Sequence, residues 1–273
     1  GAIDLSLKLA SEVNADVAIA NDPDADRCAG AINDPHLGWR MLRGDEVGAI
    51  LGHYIATTMK ESCFGKSFAN SIVSSSILGK IARAHGIEFH ETLTGFKWLA
   101  KIPNLRFGYE EALGYAVDPS AVNDKDGISA ALLLAQCTSE LKSTGHTLSG
   151  YLNNIWETYG YHGTEQISIR VNAIKEVDVV LTKLRANPPA SLIGEARTEF
   201  HDLMNPTNHL PATNGITMWF GEKIRIIVRP SGTEAKLKCY IEVSSNGGSA
   251  ADIADVAKKV SELKSELLEL LKV

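Results

Sequence analysis

The sequence predicts an α/β protein: a three-layer α/β/α domain with a mixed sheet, preceded by the remnant of a second such domain and followed by an α+β C-terminal domain. Three observations predict it. Between residues 39 and 158, short apolar runs alternate with amphipathic segments, the order of a mostly parallel sheet covered by helices. The first 38 residues hold one helix-length segment and two short strand-like runs, too little to close a sheet alone, and read as the end of a domain that begins upstream. After a turn-rich stretch at Gly160 and Gly163, two strand-like runs, Lys223–Arg229 and Lys236–Val243, flank a tight loop as a hairpin does.

The elements follow in order. Ile3, Leu5, Leu7, Leu9 and Ala10 mark an apolar-rich helix over Asp4–Val13, and strands are expected at Asp16–Ala20 and Cys28–Ile32. From Trp39 a new unit begins. Arg43-Gly44-Asp45 caps a helix carrying Val47, Ile50, Leu51, Tyr54, Ile55 and Met59 at helical spacing. A strand follows at Ala69–Ser74. Ser76 can cap a helix over Ile77–His85, which Gly86 ends. Short strands are expected at Ile87–Glu91 and Arg106–Tyr109, then a long helix from Ile128 to Leu141. The last unit has strands at Gln166–Val171, Ile216–Phe220, Lys223–Arg229 and Lys236–Val243, with helices at Val177–Arg185 and Ile253–Leu271. The expected domains are 1–38, 39–158 and 159–273.

Bulk properties narrow the function. The chain has 273 residues, 44% hydrophobic and 22% charged, which suits a soluble globular protein of more than one domain. A net charge of -6 gives no reason to expect nucleic acid or an anionic membrane as partner. No apolar run approaches the roughly 20 residues that span a bilayer, and no signal peptide is visible. Cys28, Cys63, Cys137 and Cys239 are scattered, with no Cys-x-x-Cys pair, and each lies beside apolar residues. They read as core residues of a cytoplasmic protein. The histidines show no metal-ligand spacing.

The chemistry is concentrated in a few loops. In Asn21-Asp22-Pro23-Asp24-Ala25-Asp26-Arg27, three carboxylates alternate directly after a short apolar strand. Carboxylates this close repel unless a cation sits between them, and oxygen-only ligands suit magnesium or calcium better than zinc. A solvated acidic turn is the bland alternative. An EF-hand needs Gly and Glu where Arg27 and Asn33 stand, and a haloacid-dehalogenase nucleophile loop needs Thr or Val where Cys28 stands. Asp22, Asp24 and Asp26 are therefore candidate ligands, with Arg27 placed to neutralise an incoming phosphate. Arg229-Pro230-Ser231-Gly232-Thr233-Glu234 has the parts of a phosphate clamp: a bidentate Arg229, hydroxyls on Ser231 and Thr233, and Gly232 to let backbone N–H groups approach. A Ser-Gly hairpin turn would look the same in isolation. Glu110 and Glu111 form an acidic pair that can accept hydrogen bonds from vicinal sugar hydroxyls, or simply mark a helix N-terminus. Lys125, between Asp124 and Asp126, is either a surface charge or a proton shuttle in a phosphate pocket. Thr94-Gly95-Phe96-Lys97 is a further turn able to present donors to a ligand.

Together and in this order, these motifs resemble the α-D-phosphohexomutase family, the phosphoglucomutases and phosphomannomutases, over essentially the whole chain. The resemblance implies magnesium on Asp22, Asp24 and Asp26. It implies a substrate loop containing Thr94, Gly95 and Lys97, and a sugar-specificity loop containing Glu110 and Glu111. Lys125 would be the general acid/base, and Arg229, Ser231, Gly232 and Thr233 would hold phosphate. It also implies interconversion of hexose 1-phosphate and 6-phosphate through a bisphosphate made by a phosphoserine. The sugar loop has Ala112 where the family usually has Ser, and Ala235 stands where Pro usually follows the phosphate loop. No serine lies in the family's Ser-His-Asn-Pro context, so the chain is expected to be a C-terminal fragment, inactive alone, whose partners are a sugar phosphate and the missing N-terminal domains. A metal-dependent sugar-phosphate phosphatase and a non-catalytic sugar-phosphate-binding fragment are the alternatives.

Overall fold

The computed structural model describes residues 2–35, 37–171, 174–205, 210–232 and 234–271. The chain divides into two compact units, Gly1–Tyr159 and Gly160–Val273.

The first unit opens with helix α1 (Asp4–Glu12) and strands β1 (Ala18–Asn21), β2 (Cys28–Asp34) and β3 (Gly38–Met41), which form an antiparallel sheet in the order β1-β2-β3. Ala10, Ala18 and Ala31 make its small core, with Ile3, Leu7 and Trp39 against them. On α1, Leu5, Leu9 and Val13, spaced by four, stay exposed. β3 runs across the expected boundary between residues 38 and 39.

Next come α2 (Gly44–Thr58), a 3-10 turn at Lys60–Cys63, β4 (Ser67–Ser71), α3 (Ile77–Ala84), β5 (Glu88–Thr92), α4 (Phe96–Leu99), β6 (Leu105–Glu110), β7 (Gly114–Ala116), α5 (Gly127–Ser143) and α6 (Leu148–Tyr159). The sheet order is β5-β4-β6-β7. The first three strands are parallel and β7 is antiparallel. The sheet is therefore mixed, as expected. Its strands carry apolar residues on both faces, as a doubly covered sheet requires. Phe68, Phe107, Tyr109 and Tyr115 are fully buried, with successive ring centroids 5.6, 6.2 and 6.2 Å apart. This row lies against α2, where Gly48 and Gly52 admit the rings of Tyr109 and Phe107. On the other face, Ala69 and Ala116 pack with Phe96 and Leu99.

The second unit contains β8 (His162–Arg170), α7 (Ile174–Ala186), β9 (Ser191–Leu192), β10 (Glu195–Asp202), β11 (Ile216–Phe220), β12 (Ile224–Pro230), β13 (Lys236–Ser244) and α8 (Ala250–Leu270). Its strands form a six-stranded antiparallel sheet, β8-β13-β12-β11-β10-β9. The predicted hairpin is β12–β13, with Arg229 opposite Lys238. A capping box starts α8: the Ser249 hydroxyl accepts from the Asp252 N–H, and Asp252 accepts from the Ser249 N–H.

Local expectations differ at several points. Ser76 makes no side-chain cap bond, because its backbone is already helical (φ -73, ψ -2); the neighbouring Ser75 hydroxyl accepts from Ile77 N–H instead, at 3.3 Å. Glu110 and Glu111 end a strand and enter a turn, not a helix. Gly160 has φ 87 and sits at the unit boundary, but Gly163 lies inside β8. All four cysteines are free and buried. No described helix is long and apolar enough to cross a membrane.

Candidate active site

Parallel strands deliver their C-terminal ends to the same edge of the sheet, and loops that follow them converge there. β4 is followed by Ser71–Ser75, β5 by Thr92–Lys97, and β6 by Glu110–Gly114. The loop Asn21–Arg27 connects β1 to β2 and meets them through the backbone. Arg27 bridges to Gly114, Cys28 N–H donates to Leu113 O at 3.0 Å, and Gly127 N–H donates to Ala25 O at 3.1 Å. A Cβ at Gly127 would lie 2.2 Å from Arg27 O, so only glycine permits this approach.

Within the Asp loop, one carboxylate oxygen each from Asp22, Asp24 and Asp26 lies within 4.8 Å of the others. The turn is held by Ala25 N–H to Asp22 O (2.9 Å), with Ala25 at φ 58, and by Asn21 Nδ2 to Arg27 O (2.7 Å). Arg27 folds back on its own loop: its Nε is 3.0 Å from Asp22 and 3.6 Å from Asp26. Lys125 Nζ makes a short ion pair with the other oxygen of Asp26. Burial works to raise the Asp22 pKa, but the Arg27 N–H and guanidinium outweigh it and hold the carboxyl below its usual value. The hydrogen bond to Asp26 holds the Lys125 ammonium above its usual value. Asp26 Oδ1 is buried and makes no hydrogen bond, with Arg27 Nε facing it at 3.6 Å, so it can still accept an added cation. Three hard oxygen ligands, one of them making no hydrogen bond, fit a divalent cation such as magnesium.

The remaining segments of this unit join the same edge. Asp126 caps α5 by accepting from Ile128 N–H at 3.0 Å, which places Lys125 just before the helix. Gly95 N–H donates to Glu110 Oε1 at 2.5 Å and ties the Thr94–Lys97 turn to the acidic pair. Lys97 is exposed, with its ammonium 5.7 Å from the Trp98 ring, and Thr94 is partly buried. Glu111 has other partners than Glu110. Its Oε2 accepts from Ser71 Oγ (3.2 Å) and Ser74 Oγ (3.3 Å), while its N–H donates to Ser74 Oγ (3.1 Å). Burial, reinforced by the nearby Asp45 and Glu110 carboxylates, pushes the Glu111 pKa up to about 7. Asp45 accepts from Ser75 N–H at 2.7 Å and Tyr109 OH at 3.0 Å. Ser71, Ser74 and Asp45 escaped sequence reasoning. The serine run after a buried strand is the available signal, but from sequence only Ser76 has a role, as a helix cap.

In the second unit, the β12–β13 loop is closed by Ser231 N–H to Lys236 O at 2.8 Å. Residues opposed in an antiparallel ladder share a sheet face. The pairs Arg229–Lys238 and Arg170–Lys236 therefore gather four cations at the loop end. Arg170, Lys236 and Lys238 were not anticipated, though Lys-Leu-Lys at 236–238 has the period of a strand. Glu234 pairs with Lys236 at 2.8 Å, and that hydrogen bond lowers its pKa. Nothing lies within 4 Å of the Cβ position of the exposed Gly232. Thr233 lies outside the described residues. A cavity of about 550 Å³ in the first unit, lined by Met59, Arg106, Asp118 and Leu133 among others, lies at the N-terminal end of β6 and includes none of the loops above.

Comparison with known proteins bears on the family and the fold. Residues 43–159 match the family description "Phosphoglucomutase/phosphomannomutase, alpha/beta/alpha domain III", and residues 200–262 match "Phosphoglucomutase/phosphomannomutase, C-terminal domain". A probable phosphomannomutase of Haemophilus influenzae is 42% identical over 254 residues, covering 92% of this chain and 51% of the relative. A human phosphopentomutase is 34% identical over 299 residues, covering 98% and 48%. The crystal structure of Paramecium pp63/parafusin, a phosphoglucomutase in an open form, superposes with a TM-score of 0.71 at 19% identity, covering 98% of this chain and 48% of that one. The chain spans about half the length of the curated relatives it matches. With two family domains in sequence order, relatives that are phosphomutases by name, and the corresponding α/β and α+β folds, the chain belongs to the α-D-phosphohexomutase family.

Proposed function

We propose that this chain carries the metal-binding, sugar-binding and C-terminal phosphate-binding parts of a phosphohexomutase that interconverts the 1- and 6-phosphates of glucose or mannose through a bisphosphate. The observation that carries this reading is the joining of the Asp loop, the Lys125 segment, the Thr94–Lys97 turn and the Glu110–Gly114 loop at one sheet edge. Asp22, Asp24 and Asp26 are the residues to hold Mg²⁺, which when bound would offset charge on a transferring phosphoryl group. Arg27 neutralises the incoming phosphate once its guanidinium leaves Asp22 and Asp26. Lys125 serves as acid/base once its ammonium leaves Asp26. Thr94, Gly95, Lys97 and Glu110 orient the sugar, and Glu111 belongs to the same loop. Arg229, Ser231, Gly232 and Thr233, backed by Lys238, hold the phosphate that is not reacting. The first residues, through β3, are the end of a second domain, the residues from α2 to 158 a third, and 159–273 the C-terminal one. The phosphoserine belongs to N-terminal domains of the same cytoplasmic protein, so this chain alone is inactive.

Two measurements test this. Mn²⁺, a spectroscopic stand-in for Mg²⁺, is expected to bind the chain, and Asp24→Asn to weaken it about tenfold by removing one charged oxygen ligand. A coupled assay with glucose 1-phosphate and a bisphosphate primer is expected to show no turnover. Equal Mn²⁺ affinity in the variant removes the loop from the metal site, and steady turnover removes the need for an outside nucleophile.

Phosphate binding has its own prediction. Arg229→Ala is expected to cost about 1.5–3 kcal/mol in inorganic phosphate affinity, more than Ser231→Ala, because the lost hydrogen bonds are charge-assisted. Arg229→Lys also loses affinity, since a point charge cannot reproduce the planar fork. A titration followed by ³¹P or amide NMR checks this; chemical-shift changes confined to Asp22–Arg27 would place the clamp elsewhere.

A further inference from the structure

We infer that Glu111 is the positioning residue of the sugar loop: its carboxyl group, fastened by Ser71 and Ser74, sets where Glu110 points and does not itself contact the sugar. This rests on the proposed role of Glu110–Gly114 in sugar recognition.

Four observations lead to it. First, Glu111 Oε2 already accepts from two serine hydroxyls, at 3.2 and 3.3 Å, and those hydroxyls are themselves 2.8 Å apart. Ser71 and Ser74 are buried. The carboxyl group thus lies in a pocket built by the end of β4 and the residues after it. Second, the main chain of Glu111 is held as tightly as its side chain. Its N–H donates to Ser74 Oγ, and its carbonyl lies so close to Gly44 that a Cβ there would be 1.9 Å from the oxygen. Third, Glu110 is tied to the neighbouring loop through Gly95 N–H, so a shift of Glu111 moves both loops together. Fourth, the segment turns sharply after Ala112, with Leu113 at φ 68, and Leu113 O accepts from Cys28 N–H. The loop is therefore pinned at Glu111 and at Leu113, with the exposed Ala112 between the pins.

A positioning group can be told from a ligand by what replaces it. Gln keeps an acceptor oxygen for both serines at the same reach, whereas Ala removes it. A sugar ligand would lose a charge in either variant. The role of Ser71 and Ser74 predicts that the double change Ser71→Ala/Ser74→Ala mimics Glu111→Ala.

The test uses the whole chain with two probes, glucose 1-phosphate and inorganic phosphate, and amide NMR of the ligand-free protein. In Glu111→Ala the Gly95 and Leu113 amides are expected to shift, and glucose 1-phosphate affinity to fall about tenfold, the equivalent of one misdirected hydrogen bond. Inorganic phosphate affinity is expected to stay unchanged. Glu111→Gln is expected to restore both the amide positions and the affinity, and the double serine variant to reproduce the loss. Tenfold weaker sugar phosphate binding in Glu111→Gln, with the Gly95 amide unmoved, would show that the carboxylate touches the sugar and overturn the inference. An unmoved Gly95 amide in Glu111→Ala overturns it as well, with or without ligand. If wild type binds the sugar phosphate no better than inorganic phosphate, the sugar-site reading fails, while the amide shifts still decide the fastening.

Discussion

Gly44→Ala is expected to destabilise the first unit by at least ~3 kcal/mol, the range of severe backbone overpacking. The added Cβ would meet the carbonyl oxygen of Glu111 at 1.9 Å and its carbon at 2.7 Å. Neither atom belongs to a side chain that could rotate away. Tyr115 OH, fully buried, also donates to Gly44 O at 3.1 Å, so the start of α2 cannot retreat without breaking that bond. Urea unfolding measures the effect, and Gly150→Ala in α6 is the control. There the nearest atom to the added Cβ is the Thr147 hydroxyl at 3.3 Å, and exchanging glycine for alanine inside a helix changes stability by only about 1 kcal/mol. A Gly44→Ala chain unfolding at the wild-type midpoint would show that the loop and helix are not in contact.

Glu111→Gln is expected to stabilise the protein increasingly as pH rises from about 5 to 8. Burial, with Asp45 and Glu110 adding repulsion, lifts the Glu111 pKa from 4.5 to about 7. Below 4.5 the group is neutral in both folded and unfolded chains and contributes no difference. Between the two values the folded chain keeps a proton that the unfolded chain has lost, so stability falls as pH rises through this window. Above 7 the cost is complete, at most ~3 kcal/mol for a shift of this size. The groups facing Glu111 are Asp45 from α2, Glu110 beside it, and the hydroxyls of Ser71 and Ser74 after β4. Glutamine holds the neutral state at every pH. Thermal or urea unfolding of both chains at pH 5 and pH 8 reads the difference; a gap independent of pH would mean that Glu111 is ionised throughout.

Much of the fold could be read in the chain because apolar spacing repeats along it. The α2 positions Val47, Ile50, Leu51, Tyr54 and Ile55 are all buried, and the two strand-like runs flanking the tight loop pair as the hairpin β12–β13. Short or polar elements were not legible. β3 reads Gly-Trp-Arg-Met, β7 has three residues, and β10 alternates weakly along a polar stretch, so neither period stands out. α6 had a readable stripe in Leu148, Leu152, Ile155 and Trp156, interrupted to the eye by Ser149, Gly150 and two asparagines. Within the site, the acidic triplet could be singled out because carboxylates so crowded repel, whereas Lys125 between two acids reads equally as a surface charge. The pairing of Lys125 with Asp26 spans 99 positions, and that of Glu111 with Ser71 spans 40. Contacts at such separation are set by topology, which one sequence does not display.

The aromatic row beneath the loops carries a consequence for time. Phe68, Phe107, Tyr109 and Tyr115 are sealed from solvent, and the last two hold Asp45 and Gly44 through their hydroxyls. Asp45 in turn grips Ser75, and Gly44 lies under Glu111. The backbone of this segment is thereby tied to the buried core, and regions so tied open less often than loops without such contacts. The Glu110–Gly114 loop, although it lies at an edge where loops ordinarily open on their own, is therefore expected to exchange its amide protons on the slow timescale of the sheet.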